Sequence, residues 1–220
     1  QLNRGDAEAS RVGDDVTEIV ELLRQLGDVT TADHAEGDAA GQQHQSRGGD
    51  HHGDGRAPGD LLAGHDVVVL LDSISLNSLS RDYFGQIDEA QLEWLKNDLE
   101  QVGTQRPIVM VTHIPFYSTW HQVSLGPEKP LGPKALITNS PQVQKILKPY
   151  HVRLVLSGHG HVRERIEVAR QVHVQSGAVS GLWWKGPVHG DAEAYGVVTC
   201  RGDAFDYRYE SYGWKTRQPS

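Results

Sequence analysis

The sequence predicts an α/β fold, and three observations carry that prediction. Val67–Leu71 is a continuous apolar run rich in Val, the pattern of a buried strand, and Pro107–Thr112 and Val152–Leu156 also read as buried strands. Helical periods separate them. Shorter segments with strand character come after them, at Arg165–Val168, Gln171–Val174, Tyr195–Cys200 and Ala204–Tyr209. The order strand–helix–strand–helix–strand gives a parallel layer with crossovers, and the last third reads as mostly antiparallel. The expected architecture is a mixed sheet, or two packed sheets, flanked by helices.

The chain divides near residue 66. Residues 1–66 carry 5 basic and 14 acidic residues, whereas residues 67–220 carry 16 and 15, so the whole net charge of −8 belongs to the first part. The first aromatic residue is Tyr83, and 11 of the 24 glycines precede it within residues 1–66. A segment without aromatics lacks the side chains that supply most buried area. Its exception is a stripe formed by Val16, Ile19, Val20, Leu22, Leu23 and Leu26. With Asp15 to cap and Gly27 to stop it, this stripe predicts a helix near 14–26. From Gly27 to about Asp60 no apolar period of either kind occurs, and the segment reads as irregular. Two readings stand for it: a linker or surface insertion, or a stretch not naturally continuous with the remainder of the chain, such as an altered reading frame or a misplaced start.

After the run at 67–71, Ile87–Val102 is an amphipathic helix with Leu92, Leu95 and Leu99 on one side. Residues 114–139 read as a long loop with Pro, Gly and aromatics. Ser140 is the expected cap of the next helix, with Pro141 at its first position and Val143, Ile146 and Leu147 facing inward. Asp72, at the end of a run, is placed to cap the next turn, and Cys200 reads as a small buried hydrophobe.

Composition excludes several classes. One cysteine allows neither an intramolecular disulfide nor a cysteine-built zinc site. The net charge argues against binding duplex nucleic acid through phosphate neutralisation. No run approaches the roughly 18–20 apolar residues of a membrane helix. With no signal-like leader in the sequence, a cytoplasmic and an exported location are both compatible with it, and no feature fixes the oligomeric state.

The chemistry lies just beyond two of the buried runs, where α/β sheets gather their functional groups. Thr112-His113-Ile114-Pro115-Phe116 follows the second run, and Ser157-Gly158-His159-Gly160-His161 follows the third. In extended backbone, positions i and i+2 share a face, so His159 and His161 are expected to point together. Imidazole is a common ligand for divalent transition metals, and His113 from the neighbouring strand end completes a three-histidine candidate for a metal site. The other histidines read more plainly. His151 is placed as a helix C-terminal residue, His173 alternates with valines and is expected to face outward, and His121 and His189 lie in loops.

These residues resemble the second half of a calcineurin-like metallophosphoesterase. The resemblance covers residues 67–214 and rests on Leu71-Asp72-Ser73, Gly85-Gln86-Ile87 leading into a helix with Trp94-Leu95, Thr112-His113-Ile114-Pro115 and Ser157-Gly158-His159-Gly160-His161. The tail, SGAVSGLWWKG then AYGVV and YESYGW, is similar to the carboxyl-terminal part of bacterial members. The resemblance implies a metallophosphoesterase-like α/β sandwich and a metal-dependent phosphatase or phosphodiesterase acting on a phosphoester. It implies two divalent ions (Mn, Fe or Zn), with His113 and His159 on one and His161 on the other.

The family's opening motifs, Asp-x-His, Gly-Asp and Gly-Asn-His-Asp or Glu, supply the bridging carboxylate. They are not found in residues 1–66 in a setting that presents them. Asp50-His51-His52, Gly53-Asp54 and Gly64-His65-Asp66 match in form only, packed together in a polar, glycine-rich stretch. The sequence therefore leaves two main readings: a phosphoester hydrolase lacking half of its dinuclear site, or a non-catalytic remnant of that fold with weak or no metal binding. An unrelated three-histidine metal module is the third. Trp183 and Trp184 either line a substrate groove or pack the tail onto the sheet.

Overall fold

The computed structural model describes residues 29–31, 67–77, 79–80, 82–201 and 203–216. The expected helix near 14–26, the motif-like residues at 50–54 and 64–66, and most of the 27–60 stretch lie outside the described residues. One short piece of that stretch departs from expectation. Val29–Thr31 (β1) is a strand, paired in parallel with Val67–Leu71 (β2) through Val29 opposite Val68 and Thr31 opposite Leu70. Three residues are too few to show a period, so the partner strand selects the conformation.

The chain continues through a small hairpin, Ile74–Leu76 (β3) and Tyr83–Gly85 (β4), to the helix Glu89–Val102 (α1). It then forms Ile108–Thr112 (β5), short helix Trp120–Leu125 (α2), helix Ser140–Leu147 (α3) and Val152–Ser157 (β6). Arg163–Val168 (β7), Gln171–Ser176 (β8), Ala194–Arg201 (β9) and Ala204–Ser211 (β10) complete the order. The main sheet has the order β1-β2-β5-β6-β8-β7. Its first five strands run parallel, and β7 is the antiparallel edge. The three apolar runs are thus neighbours in one sheet, as their sequence predicts. β9 and β10 form a separate antiparallel hairpin.

Period-two alternation assigns the two faces. Val67, Val69 and Leu71 of β2, with Ile108 and Met110 of β5, pack against Leu92, Leu95 and Leu99 of α1 and Val143 and Leu147 of α3. The intervening Val109 joins Leu154 of β6 and Val174 of β8 on the opposite face, beneath Val198, Phe205 and Tyr207 of the β9–β10 hairpin. Cys200 packs half-buried at this second cluster. The register of β5 against β6 shifts between Ile108 and Val109, skipping Arg153. That bulge lets Val152 and Val155, three apart, share a face. The skipped Arg153 is buried and donates from Nη1 to Ala204 O at 2.9 Å. The molecule is a mixed α/β fold. Among the described residues the layer opposite the helices is a two-stranded hairpin rather than a full second sheet.

Local chemistry moves two helix starts from their expected positions. Asp88, not Ile87, opens α1, accepting from Gln91 N at 2.8 Å. Ile87 is held outside the helix because Asn139 clasps its backbone, with Oδ1 accepting from Ile87 N at 3.1 Å and Nδ2 donating to Ile87 O at 2.7 Å. The same asparagine precedes α3, so Ser140 is the first helical residue there rather than the cap. The 114–139 segment is also less irregular than expected. It contains α2, and Ile137 bridges to Gly85. Asp72 caps as expected, its Oδ1 accepting from Ile74 N at 2.9 Å.

Candidate functional site

β5 and β6 are adjacent and parallel, so the residues following them emerge side by side at one sheet edge. Three hydrogen bonds position the first motif. Gly158 N donates to His113 O at 3.1 Å, tying the two loops together. Ile114 N donates to Ser73 Oγ at 2.8 Å, and Thr112 Oγ1 donates to Ile114 O at 2.9 Å. His113 is held between two anchored neighbours.

The second motif is not extended, which corrects the expectation that spacing alone aligns its imidazoles. His159 and His161 have φ of 67° and 56°. Gly160 N donates to Gly158 O at 2.7 Å, closing a three-residue turn centred on His159. Non-glycine residues take this region rarely and at some cost, and such strain concentrates at functional positions. The turn sends the two rings to different partners. His159 Nδ1 lies 3.2 Å from His113 Nε2, with ring centroids 5.1 Å apart. His161 Nδ1 lies 2.7 Å from Gly181 O. A carbonyl only accepts, so His161 Nδ1 carries a proton. Its ring also packs on Trp183, with centroids 4.8 Å apart.

Burial disfavours the charged form of both facing rings. Burial pushes His113 down to about 4, and the neighbouring His159 and His161 add to the effect. Burial likewise holds His159 below the ordinary imidazole value, opposed by a hydrogen bond with the backbone at Lys134. Neutral imidazole is the form that binds metal.

The spacing of the donors decides whether they fit an ion. Two imidazole nitrogens on one ion, each about 2.1 Å from it, sit about 2.9–3.4 Å apart for angles between square and tetrahedral. The His113–His159 spacing of 3.2 Å falls in that range. The same 3.2 Å is a hydrogen-bond distance between one ring's N–H and the other's lone pair, so the spacing admits either a shared proton or a shared ion. His161 Nδ1 is engaged by Gly181 O rather than by a ring of that pair. Among the described residues no group of three or more His, Cys, Asp or Glu side chains is placed to hold a single ion.

Other sequence candidates take structural places. His173 is buried, contrary to the outward reading, because Phe116 and Tyr117 of the segment after β5 cover its face of β8. Its ring meets Tyr117 at 4.8 Å and its Nε2 lies 3.1 Å from Gln171 Oε1. His151 does not close a helix; its Nδ1 lies 3.5 Å from Gln105 O and 3.8 Å from Asp203 Oδ1. His189 packs on Trp120, with centroids 4.6 Å apart. Trp183 and Trp184 are 58% and 52% exposed, with Trp184 edge-on to Trp214, so neither is packed into the sheet.

Beside His159 opens a small cavity whose lining includes Ser118, Trp120, His121, Gly160 and Gln175. Besides His159, its polar members come from the segment before α2, from α2 and from β8. Gln175 sits in an alternating strand pattern that also describes ordinary sheet residues, so only the fold reveals it.

Comparison with protein-family models gives no match, and comparison with curated proteins gives none either. Among the described residues no helix is long and apolar enough to cross a membrane.

Proposed function

We propose that residues 67–216 form the histidine-bearing half of a metal-dependent phosphoester hydrolase of the calcineurin-like type, in which His113 and His159 share one divalent ion and His161 belongs to a second position. In this reading the sheet and the β9–β10 hairpin belong to the α/β sandwich of that family. The observation that carries it is the 3.2 Å approach of His113 Nε2 to His159 Nδ1 at the ends of adjacent parallel strands.

The residues on hand perform part of such chemistry. Ser73 and Gly158 hold the His113 backbone in place, through Ile114 in the first case. Gly181 orients His161 and fixes its tautomer, as outer partners of ligating histidines do. A divalent ion would supply charge neutralisation at a phosphoryl oxygen. Imidazoles are neutral ligands and leave that ion's charge uncompensated, whereas the carboxylates of a complete dinuclear site offset it. The described part brings imidazoles together without a converging carboxylate, so the chain is expected to bind one ion weakly and to turn over slowly. That same observation favours the second reading, a remnant of the fold without catalysis.

The test is a calorimetric titration of the full chain with Mn²⁺ and Zn²⁺, alongside His113→Ala and His159→Ala. Binding at one site, lost in both variants with the fold retained, is the expected result. Binding unchanged in both would overturn the proposal. Hydrolysis of an aryl phosphate only marginally above free metal is expected. Robust turnover lost on Asp50→Ala or Asp54→Ala would overturn the incomplete-site reading, because residues 1–66 would then supply the carboxylates.

A further inference from the structure

Leu182, Trp183, Trp184 and Lys185 are exposed one after another, between the buried Gly181 and Gly186. The turn that carries them is closed by its own backbone. Leu182 N donates to Gly186 O at 2.9 Å, Trp184 N to Ser180 O at 2.7 Å and Lys185 N to Leu182 O at 3.0 Å. Trp183 and Trp184 sit at φ of 48° and 64°. Bulky side chains take this left-handed region rarely and at a steric cost, and such strain concentrates at functional positions. Trp183 keeps 58% of its surface exposed. An indole left open forgoes the gain of burial, so a fixed turn that displays it calls for an explanation.

The histidines supply one. The ring of His161 packs on the indole of Trp183, with centroids 4.8 Å apart and planes tilted by 42°. The same turn holds that imidazole through Gly181 O, which accepts from His161 Nδ1 at 2.7 Å. His161 is near enough for its charge to act on both His113 and His159. The turn therefore places a flat, half-open π surface against the third histidine of the site. The second indole is committed elsewhere: Trp184 meets Trp214 edge-on, with centroids 5.4 Å apart and planes at 66°. Each indole leans on a different ring of the fold. A bilayer would be met by both together at a protruding tip, so this arrangement favours a partner the size of one ring.

We infer that Trp183 is a substrate-binding residue that selects phosphoesters whose alcohol carries a planar aromatic ring, stacked on the exposed part of its indole. The inference rests on the phosphoester reading above. With the phosphoryl group at the histidine pair, the alcohol half of the ester is the part that meets an indole packed on His161. Indole carries no charge and its N–H is a single donor, so the property it reads best is flatness. Aromatic pairs stack offset or edge to face with centroids about 4.5–7 Å apart and gain more than their buried area alone supplies, which a puckered ring of the same size does not.

The test measures binding of phenyl phosphate and cyclohexyl phosphate to the full Mn²⁺-loaded chain. The two present the same phosphate on rings of equal size that differ in flatness. Phenyl phosphate should bind about fivefold more tightly, the worth of one aromatic contact. Cyclohexyl is the more apolar group, so burial of apolar area alone would give the opposite order. Trp183→Leu should remove the preference, Trp183→Phe should restore part of it, and Trp184→Leu should leave it in place. Equal affinities in the unmodified chain, tighter binding of cyclohexyl phosphate, or a preference that survives Trp183→Leu would overturn the inference. So would equal affinities together with binding to phosphatidylglycerol vesicles that Trp183→Leu abolishes, because the indole would then serve a lipid surface. Should the Trp183 variants fail to fold, the Trp183 indole N–H resonance of the unmodified protein provides the second readout. It should shift with phenyl phosphate and stay fixed with cyclohexyl phosphate, and a failure to shift overturns the inference. Mn²⁺ binding without the preference sinks the role of Trp183 alone. The preference without Mn²⁺ binding at His113 and His159 sinks the metal reading and leaves Trp183 in place. Absence of binding by both probes overturns both.

Discussion

The backbone N–H of Ile114 donates to the hydroxyl of Ser73 at 2.8 Å, although 41 residues separate them. Both residues are buried. The bond joins the segment after β2 to the segment after β5, so the residue following His113 is anchored from a different strand. The candidate ligand is positioned by a hydroxyl that does not belong to either histidine motif.

Ser73→Ala should destabilise the fold by about 1–2 kcal/mol, because it leaves the buried Ile114 N–H without its acceptor. Urea denaturation measures the loss. Metal affinity should fall as well, since the His113 loop gains freedom.

Gly181→Ala should be more damaging than its size implies. A Cβ there would lie 2.6 Å from Gly186 O and 2.8 Å from Glu193 Oε1, at a φ of 51°. Backbone strain and displacement of neighbours together cost about 1–3 kcal/mol. The carbonyl of Gly181 also orients His161. Thermal unfolding should show the lost stability, and the tautomer of His161, read by nitrogen NMR, should cease to be fixed.

Asn139→Ala should cost about 1–3 kcal/mol, because the asparagine satisfies both backbone groups of Ile87. Asn139→Asp should recover only part of that loss, since a carboxylate can accept from Ile87 N but cannot donate to Ile87 O. Denaturation of the two variants in parallel separates the contributions.

Acid should weaken the fold partly through His173. Burial pushes this imidazole down to about 4, whereas in the unfolded chain it titrates near 6.5. Between those values the unfolded state binds the extra proton, so stability is fully present above about pH 6.5 and falls as the pH drops toward 4. The contribution lost over that window is at most about 3 kcal/mol. His113 and His159 shift in the same direction. His173→Phe should flatten the pH dependence of unfolding between pH 6.5 and 4.5 relative to the unmodified chain. An unchanged slope would show that the ring is protonated in the fold.

Much of the sheet was legible because buried parallel strands announce themselves. The runs at 67–71, 107–112 and 152–156 needed no partner to be recognised, and their adjacency follows the tendency of consecutive parallel strands joined by helical crossovers to be neighbours. The hairpin at Ile74–Leu76 and Tyr83–Gly85 was not legible, because its strands are three residues each and half-exposed. β1 was hidden for the same reason of length. The burial of His173 was not legible because alternation with valine describes a strand with one wet face, and only the packing of Phe116 and Tyr117 over its ring shows that this face is covered.

By itself the sequence determined the α/β class, the order of the principal strands and helices, and the two histidine motifs at strand ends. Each of these is a local property, readable from period and composition within a window of a dozen residues. The tertiary structure decided how the imidazoles are placed. The backbone is left-handed at His159 and His161, and strand adjacency brings His159 Nδ1 to 3.2 Å from His113 Nε2 across 46 residues, a pairing that only the family resemblance had implied. It also decided that Gln175 is buried with its amide nitrogen donating to Glu164. Contacts of this kind depend on register and on the path of loops between distant strands, and a local pattern carries no record of either.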